Sequence, residues 1–247
     1  MTVERHLGWD GCWNVRDLGG LTTADGRVIR QGALVRGDSA HRLTPAGWSA
    51  LRAHGVRTVV DLRDPTERTG NAAPRPADLT TVELPLEDRT DDAFWERWRH
   101  LSGTPLYYRA FLDQWPERFA AVVAAIAEAG PGGVLIHCAA GRDRTGLVTL
   151  VLLALLGVPP EEIAADYALS ADRLRLRFAA EGREDEDLAT QAHLRQANTS
   201  ARQTILALLT AFDAAAYLRD GGLRPDQQAA LIRRLLDAPA DGALVVP

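Results

Sequence analysis

His137-Cys138-Ala139-Ala140-Gly141-Arg142-Asp143-Arg144-Thr145-Gly146 is the stretch from which the rest of this 247-residue chain can be read. A cysteine stands six positions before an arginine, with small residues and a glycine among those between. A strand-like run, Gly133 to Ile136, leads in, and an apolar helix-like run, Leu147 to Leu156, leads out. Backbone N–H groups of a tight loop and of a helix's first turn can surround a phosphate. Arginine grips two phosphate oxygens through its planar fork. Cys138, at the base of such a loop, would be aimed at phosphorus, so the spacing suits covalent removal of a phosphoryl group.

The residue types fit that chemistry. A cysteine nucleophile has to be a thiolate, and a helix N-terminus, converging N–H groups and nearby arginines all favour the anion. Ala139, Ala140 and Gly141 carry almost no side chain, so the loop can curl closely around an anion, and Gly141 can take a positive φ at little cost. Thr145 can hydrogen-bond the cysteine sulfur and ease its departure in a second step. Gly146 is expected to let the helix start pack tightly against the preceding strand. The predicted binding loop is therefore Ala139, Ala140, Gly141, Arg142, Asp143, Arg144 and Thr145, with Cys138 and Arg144 catalytic. A buried strand-end cysteine with an arginine nearby by chance is the bland alternative. It does not explain a strand, a small-residue loop, Arg-Thr-Gly and an apolar helix in that order. A Walker-type reading of Gly141 to Gly146 fails, because Leu147 and Val148 stand where Lys and Ser or Thr are required.

The loop resembles the His-Cys-x5-Arg-Ser/Thr signature of the cysteine-dependent protein phosphatases. Three further segments resemble the bacterial atypical tyrosine and lipid phosphatases: Asn14-Val15-Arg16-Asp17-Leu18-Gly19-Gly20, Val59-Val60-Asp61-Leu62-Arg63 followed by Glu67, and Tyr217-Leu218-Arg219-Asp220-Gly221-Gly222-Leu223. The likeness spans most of residues 10–237. It implies hydrolysis of phosphomonoesters through a phosphocysteine intermediate, with phosphotyrosine protein as substrate and phosphoserine, phosphothreonine or phosphoinositide as alternatives. It also implies one phosphatase domain over 1–247, with a helical lid inserted at 171–200. One departure stands inside the loop: family members often carry Lys where this chain has Arg142, and all 28 of its basic residues are Arg. That keeps the positive charge but replaces a compact ammonium with a fork.

Expulsion of an alkoxide or phenoxide needs a general acid. Asp143 lies inside the loop beside Arg144, and the resemblance implies that this in-loop aspartate serves. Asp61 closes the strand-like run Val56 to Val60, at an end where ligands gather in open α/β sheets; its structural alternative is pairing with Arg63 or a loop N–H. Trp115-Pro116-Glu117 resembles the Trp-Pro-Asp acid loop of larger tyrosine phosphatases. It sits in a helical pattern of Tyr107, Phe111, Phe119, Val122, Val123 and Ile126, and Pro116 reads as a fresh helix start. Glu117 is therefore read as a solvated helix residue. Of the other two, reach favours Asp143.

Composition bounds the rest. Hydrophobic residues make up 46%, enough for a core, and the length fits one α/β domain or a domain with an added lid. A net charge of −5 argues against nucleic acid or an anionic membrane as an obligatory partner. Only two cysteines occur and Cys138 must stay free, so a disulfide scaffold is not expected. Cys12 reads as a small buried residue, with a redox partner for Cys138 as the sharper alternative. The segment Met1 to His6 lacks an apolar signal region, and Leu147 to Val158 is too short for a membrane span. The cytoplasm is the expected location, with secretion without a signal peptide left open.

Strand-like and helix-like segments alternate, which predicts an α/β fold with a mainly parallel central sheet flanked by helices. Strands are expected over Val28–Val35, Val56–Leu62, Thr80–Leu86 and Gly133–His137. Helices are expected over 45–54, 91–102, 106–129, from the phosphate loop onward, from Pro159 to about Leu169, over Thr199–Tyr217 and over Pro225–Leu236. Trp95 and Trp98 read as packing residues. Residues 171–200 read either as a solvated helical hairpin or as a lid over the loop. His137 precedes the nucleophile, but neighbouring strand residues face opposite sides, so a structural hydrogen bond is expected of it. The six histidines are scattered without ligand spacing, and the mechanism calls for no metal and no cofactor. Two rivals use similar pieces: a silent phosphate-reading module, which has no need of a thiol, and a rhodanese-like sulfurtransferase, which the arginine with Thr and Gly after it disfavours.

Overall fold

A computed structural model describes residues 5–68 and 70–237. Its centre is a five-stranded sheet in the order β1-β2-β5-β3-β4. The strands are β1 (Arg16–Asp17), β2 (Leu34–Gly37), β3 (Val56–Asp61), β4 (Thr80–Glu83) and β5 (Gly133–His137). Only β1, at the edge, runs antiparallel to its neighbour; β2, β5, β3 and β4 are parallel. Every residue of β5 is buried, as a central strand covered on both faces requires. Alternation along β5 splits its side chains between two cores. Val134 and Ile136 join a large cluster, and Leu135 joins a smaller one with Trp9, Trp48 and Leu51. In β3, Val56 and Val59 share the smaller core despite their odd spacing, because the register shifts between Val56 and Thr58.

Ten helices flank the sheet among the described residues: α1 (Pro45–Ala53), α2 (Asp92–Trp98), α3 (Tyr108–Gln114), α4 (Pro116–Glu128), α5 (Asp143–Leu155), α6 (Pro160–Ala180), α7 (Asp187–Gln196), α8 (Ala201–Thr210), α9 (Ala214–Asp220) and α10 (Pro225–Leu235). Thr44 caps α1 by accepting the Gly47 N–H at 3.3 Å, as its Thr-Pro start predicts. Helix α5 is buried continuously from Thr145 to Leu153, the mark of a helix enclosed by the core. It begins at the carboxyl end of β5, so the loop between them opens where parallel sheets bind ligands.

Several boundaries differ from expectation. The second strand begins at Leu34; Val28 and Ile29 make only isolated bridges, to Thr22 and Leu236, and a turn at residues 31–33 with Gly32 at φ +73° separates them from β2. The helical run from Leu106 divides at Trp115 because Pro116 has no N–H to continue it. Helix α6 does not stop near Leu169 but runs to Ala180, since no Gly or Pro interrupts 161–180. The segment 171–200 is thus the second half of α6, a turn with Gly182 at φ +64°, and α7. The stretch from Thr199 to Tyr217 splits into α8 and α9, with Asp213 capping the second through the Ala216 N–H at 2.9 Å. Trp95 packs in the core against Phe94 and Trp115, at centroid distances of 5.0 and 6.0 Å. No helix among the described residues is long and apolar enough to cross a membrane.

Asp17 ties the sheet edge together. Its carboxylate accepts the Gly19 N–H at 2.8 Å and the Gly32 N–H at 2.7 Å, and His54 Nε2 lies 2.8 Å away. Asp17→Ala strips these partners at once and is expected to lower the unfolding free energy by about 2–4 kcal/mol, read from urea unfolding curves.

Candidate active site

Residues 138–142 form a loop whose carbonyls are tied outward one after another. The Ser39 N–H donates to the Ala139 carbonyl at 3.3 Å. Asn14 Nδ2 donates to Ala140 O at 2.9 Å, and Arg36 Nη2 to Gly141 O at 2.7 Å. In a planar trans peptide the N–H points opposite to the carbonyl before it. Three carbonyls held outward therefore turn the N–H groups of Ala140, Gly141 and Arg142 inward. The Gly141 N–H meets Cys138 Sγ at 3.3 Å. Gly141 has φ +70°, and a Cβ there would lie 2.5 Å from Gly37 O and 2.7 Å from Asp38 N, so no other residue fits this approach.

The anchors are themselves held from below. Arg16 Nη1 donates to Asn14 Oδ1 at 2.8 Å. Asp166 of α6 accepts from Arg5 at 2.8 Å, Arg16 at 3.0 Å and Arg36 at 2.7 Å. Burial alone would raise the Asp166 pKa, but these guanidinium groups hold its carboxyl far below the usual range. Arg16 falls to about 10, because it is fully buried beside Arg36. Gly146 serves a different contact from the expected one: it faces the Tyr167 ring of α6, which a Cβ would approach to 3.3 Å.

Cys138 is 3% exposed, at the base of this loop. Arg144 begins the next turn, inside α5. Its Nη1 and Nη2 donate to Glu67 at 2.5 and 2.8 Å, and Nη1 donates to Glu87 at 3.3 Å. A guanidinium has five N–H groups. Three of those on Arg144 go to carboxylates, which leaves about two, including Nε–H, to meet an anion. Burial would lower the Arg144 pKa, but the Glu67 bond, the Cys138 sulfur and Glu87 together raise it, so the cation is permanent. Glu67 is held ionised by Arg144 against its burial, while burial pushes the Glu87 carboxyl up.

The two aspartate candidates occupy different surroundings. Asp143 is 20% exposed at its side chain and lines a cleft of about 330 Å³ together with Arg144, Glu67, Glu87, Tyr107 and Trp95. The Tyr108 hydroxyl donates to Asp143 Oδ1 at 2.7 Å, and Arg142 Nε lies 3.4 Å from Oδ2. Asp61 is 2% exposed and does not line this cleft. Arg63 Nε donates to its Oδ1 at 2.9 Å and Arg63 Nη2 to its Oδ2 at 2.7 Å, and the Arg63 N–H adds a third bond at 3.0 Å. Burial works to raise its pKa, but Arg63 and then His137 overcome that and lower it to about 2. The pairing with Arg63 is the structural alternative stated for it above.

Other residues of the loop depart from expectation. The Thr145 hydroxyl is buried with no hydrogen-bond partner among the described residues; the sulfur takes the Gly141 N–H and receives no bond from it. The Arg142 guanidinium turns away under α7, 3.5 Å from Asp187 and against Gly103. Burial would lower its pKa, but Asp143 raises it further. Thr190 of α7 donates to Gly103 O at 3.0 Å, which fixes the cover over Arg142. His137 is fully buried, with Nδ1 3.2 Å from Cys138 O and Nε2 3.8 Å from Asp61. Burial lowers its pKa to about 4, so its ring is neutral. Cys12 lines a separate groove of about 770 Å³, and its thiol donates to Ser39 O at 3.6 Å. Burial and then Asp38 push that thiol well up, which keeps it protonated; both cysteines are free.

Sequence reasoning passed over Arg36 and Asp166, whose only signal is a contact between residues 130 positions apart. It quoted Asn14 and Arg16 within a motif without their task. Glu87 and Tyr108 carried no local signal.

The family model described as "Tyrosine phosphatase family" matches residues 7–237. A Cupriavidus necator protein carrying the name tyrosine-protein phosphatase is 36% identical over 68% of this chain, and the match spans 64% of that relative's length. The triple specificity protein phosphatase PtpB of Mycobacterium tuberculosis is 30% identical over 86% of this chain and 92% of its own. A solved structure of Pseudomonas aeruginosa TpbA in complex with pTyr covers 79% of this chain and 89% of its own, at 19% identity and a TM-score of 0.37.

Two outcomes are expected from these contacts. Asn14→Ala frees the Ala140 carbonyl to turn inward and should weaken vanadate binding roughly tenfold by calorimetry, the size of one lost buried hydrogen bond. His137 gives acid sensitivity. Its folded pKa of about 4 lies below the ordinary 6.5, so as pH falls through that window only the unfolded chain gains the proton. Stability contributed by the neutral ring is full above pH 6.5 and should fall by about 3 kcal/mol by pH 4, a slope that His137→Gln removes from the urea-unfolding profile.

Proposed function

The chain belongs to the tyrosine phosphatase family, and from that premise we propose that it hydrolyses phosphotyrosine in proteins through a phosphocysteine intermediate. The observation that carries the reading is the tied-back loop. Outward ties on three carbonyls turn three N–H groups inward, one of them meets the Cys138 sulfur, and that sulfur acts electrostatically on the Arg144 guanidinium. The donors are fixed before substrate arrives, so they need no reorganisation when charge develops on the transferring phosphoryl oxygens.

Cys138 Sγ attacks phosphorus as the thiolate, and the bond to the leaving oxygen breaks. Asp143 gives that oxygen its proton. A water molecule then attacks the phosphocysteine, Asp143 takes the water's proton, and the S–P bond breaks to release inorganic phosphate and restore the thiolate. Asp143 suits both steps because it opens into the cleft beside Arg144 while Tyr108 orients its other oxygen. Asp61, with both oxygens on Arg63 and a pKa of about 2, holds the carboxyl end of β3 instead of a movable proton. A cysteine only 3% exposed favours the long reach of phosphotyrosine over shorter phosphoserine and phosphothreonine. A silent phosphate reader would gain nothing from a thiol at that position.

Purified protein is expected to turn over p-nitrophenyl phosphate, and Cys138→Ser to abolish it. Asp143→Asn should lower kcat by roughly 10²–10³-fold on a phosphotyrosine peptide and less on p-nitrophenyl phosphate, whose leaving group needs little help. Asp61→Asn should cost thermal stability instead. A leaving-group-dependent loss in Asp61→Asn and none in Asp143→Asn would reverse the assignment.

A further inference from the structure

The mouth of the cleft carries positive charge that the catalytic machinery does not use. Glu67 and Glu87 are both spent on Arg144. Two more arginines line the same cleft, Arg89 and Arg99, and both are exposed. The Arg99 guanidinium has no ion-pair or hydrogen-bond partner among the described residues. Arg89 has only long contacts, 3.8 Å to Glu67 and 3.9 Å to Glu87. Other arginines near the sheet and helices are used by the fold: Arg234 caps carbonyls, Arg118 binds the Pro85 and Glu87 carbonyls, and Arg63 and Arg68 close on Asp61 and Glu83. One unpartnered guanidinium and one held only by long contacts thus stand together in an anion cleft.

We propose that Arg89 and Arg99 form a subsite for acidic residues flanking phosphotyrosine in a peptide, an inference that rests on the phosphatase reading. Phosphate gripped by Arg144 leaves the tyrosine ring in the cleft that Tyr107 and Trp95 also line, with the peptide backbone toward the exposed Arg89 and Arg99. An extended backbone advances about 3.3–3.6 Å per residue, so side chains one or two positions from phosphotyrosine fall at the rim. Carboxylates there meet guanidinium forks matched to them in shape and charge. The same chemistry could serve the second phosphate of an inositol lipid. The net charge of −5 opposes approach to an anionic bilayer at long range, whereas two arginines act within the Debye length of about 8 Å, which favours the peptide.

The test compares two phosphotyrosine peptides, one with Asp and Glu around the phosphotyrosine and one with Ala there, on wild type, Arg89→Gln, Arg99→Gln and the double variant. Both positions are exposed, so folding is preserved. Wild type should favour the acidic peptide in kcat/KM by about tenfold at low salt, through KM, and the ratio should shrink at high salt. Each single change should lower the ratio roughly threefold, and the double variant should bring it to about one. A wild-type ratio of about one, or a preference that survives in the double variant, overturns the subsite. So does a loss confined to a soluble inositol polyphosphate. Turnover of both peptides without preference sinks this inference alone, whereas no turnover of either peptide or of p-nitrophenyl phosphate sinks the phosphatase reading.

Discussion

Three hydrogen bonds to three successive carbonyls, at Ala139, Ala140 and Gly141, set the polarity of the site. A loop of small residues could present either face of its peptides to the space above Cys138. Carbonyls facing inward would repel an oxyanion and the thiolate alike; N–H groups facing inward attract both. The choice is made by donors outside the loop: Ser39 N–H, Asn14 and Arg36. Arg36 can do this while fully buried only because Asp166 accepts its other arm. Three arginines converge on that one carboxylate. A buried ion pair is weak evidence for stability, since desolvation offsets the attraction. Here the consequence is orientation, along with an excess of positive charge beneath the loop.

Arg144 shows the same logic above the loop. A long side chain free in solution loses rotamer entropy when it grips an anion. Glu67 and Glu87 fix the guanidinium in advance, and Glu67 is in turn bonded to the Asp64 N–H at 3.0 Å. The cost is two carboxylates close to the space an anion enters. Burial raises the Glu87 pKa, which moderates that charge, while Glu67 stays ionised under the direct hold of Arg144. The site is therefore a preset cradle whose charge lies on fixed groups, with exposed positive charge at its rim.

How much of this was legible in the sequence follows from range. The loop residues, the strand before them and the helix after them are contiguous, so spacing alone singled out Cys138 and Arg144 and predicted the α/β setting. The Pro116 helix start and the Thr44 cap were local as well. Asp61 and Arg63 are two positions apart, and their pairing was foreseen as one alternative. Arg36 with Asp166 and Arg144 with Glu87 join residues 130 and 57 positions apart, and no local pattern announces such meetings. Thr145 and Gly146 were misjudged for a related reason. The Thr145 hydroxyl is buried without a partner among the described residues, and Gly146 is packed by Tyr167 of α6, 21 positions on. The length of α6 was itself misjudged, because the charged residues after Leu169 look like a solvated hairpin when their burial against the loop's supports is unseen.

That helix couples the cradle to its cover. Along one α6, Asp166 holds the arginines under the loop, Tyr167 meets Gly146 and Tyr108, and Arg173 donates to the Trp13 carbonyl at 3.1 Å. Arg177 lies 4.0 Å from Asp38, whose carboxylate accepts the N–H groups of Trp13 and Asn14. Swinging α6 as a unit would pull Asp166 off Arg36 and let the Gly141 carbonyl turn inward, so the helix cannot serve as a hinge without dismantling the anion site. The first position where the chain can bend at low cost is Gly182, already at φ +64°. Beyond it, α7 is held over Arg142 by the Asp187 contact and the Thr190 bond, both made at its first turns. The three tied carbonyls are thus bound to α6 as far as Gly182, and α7 adds its contacts without touching them.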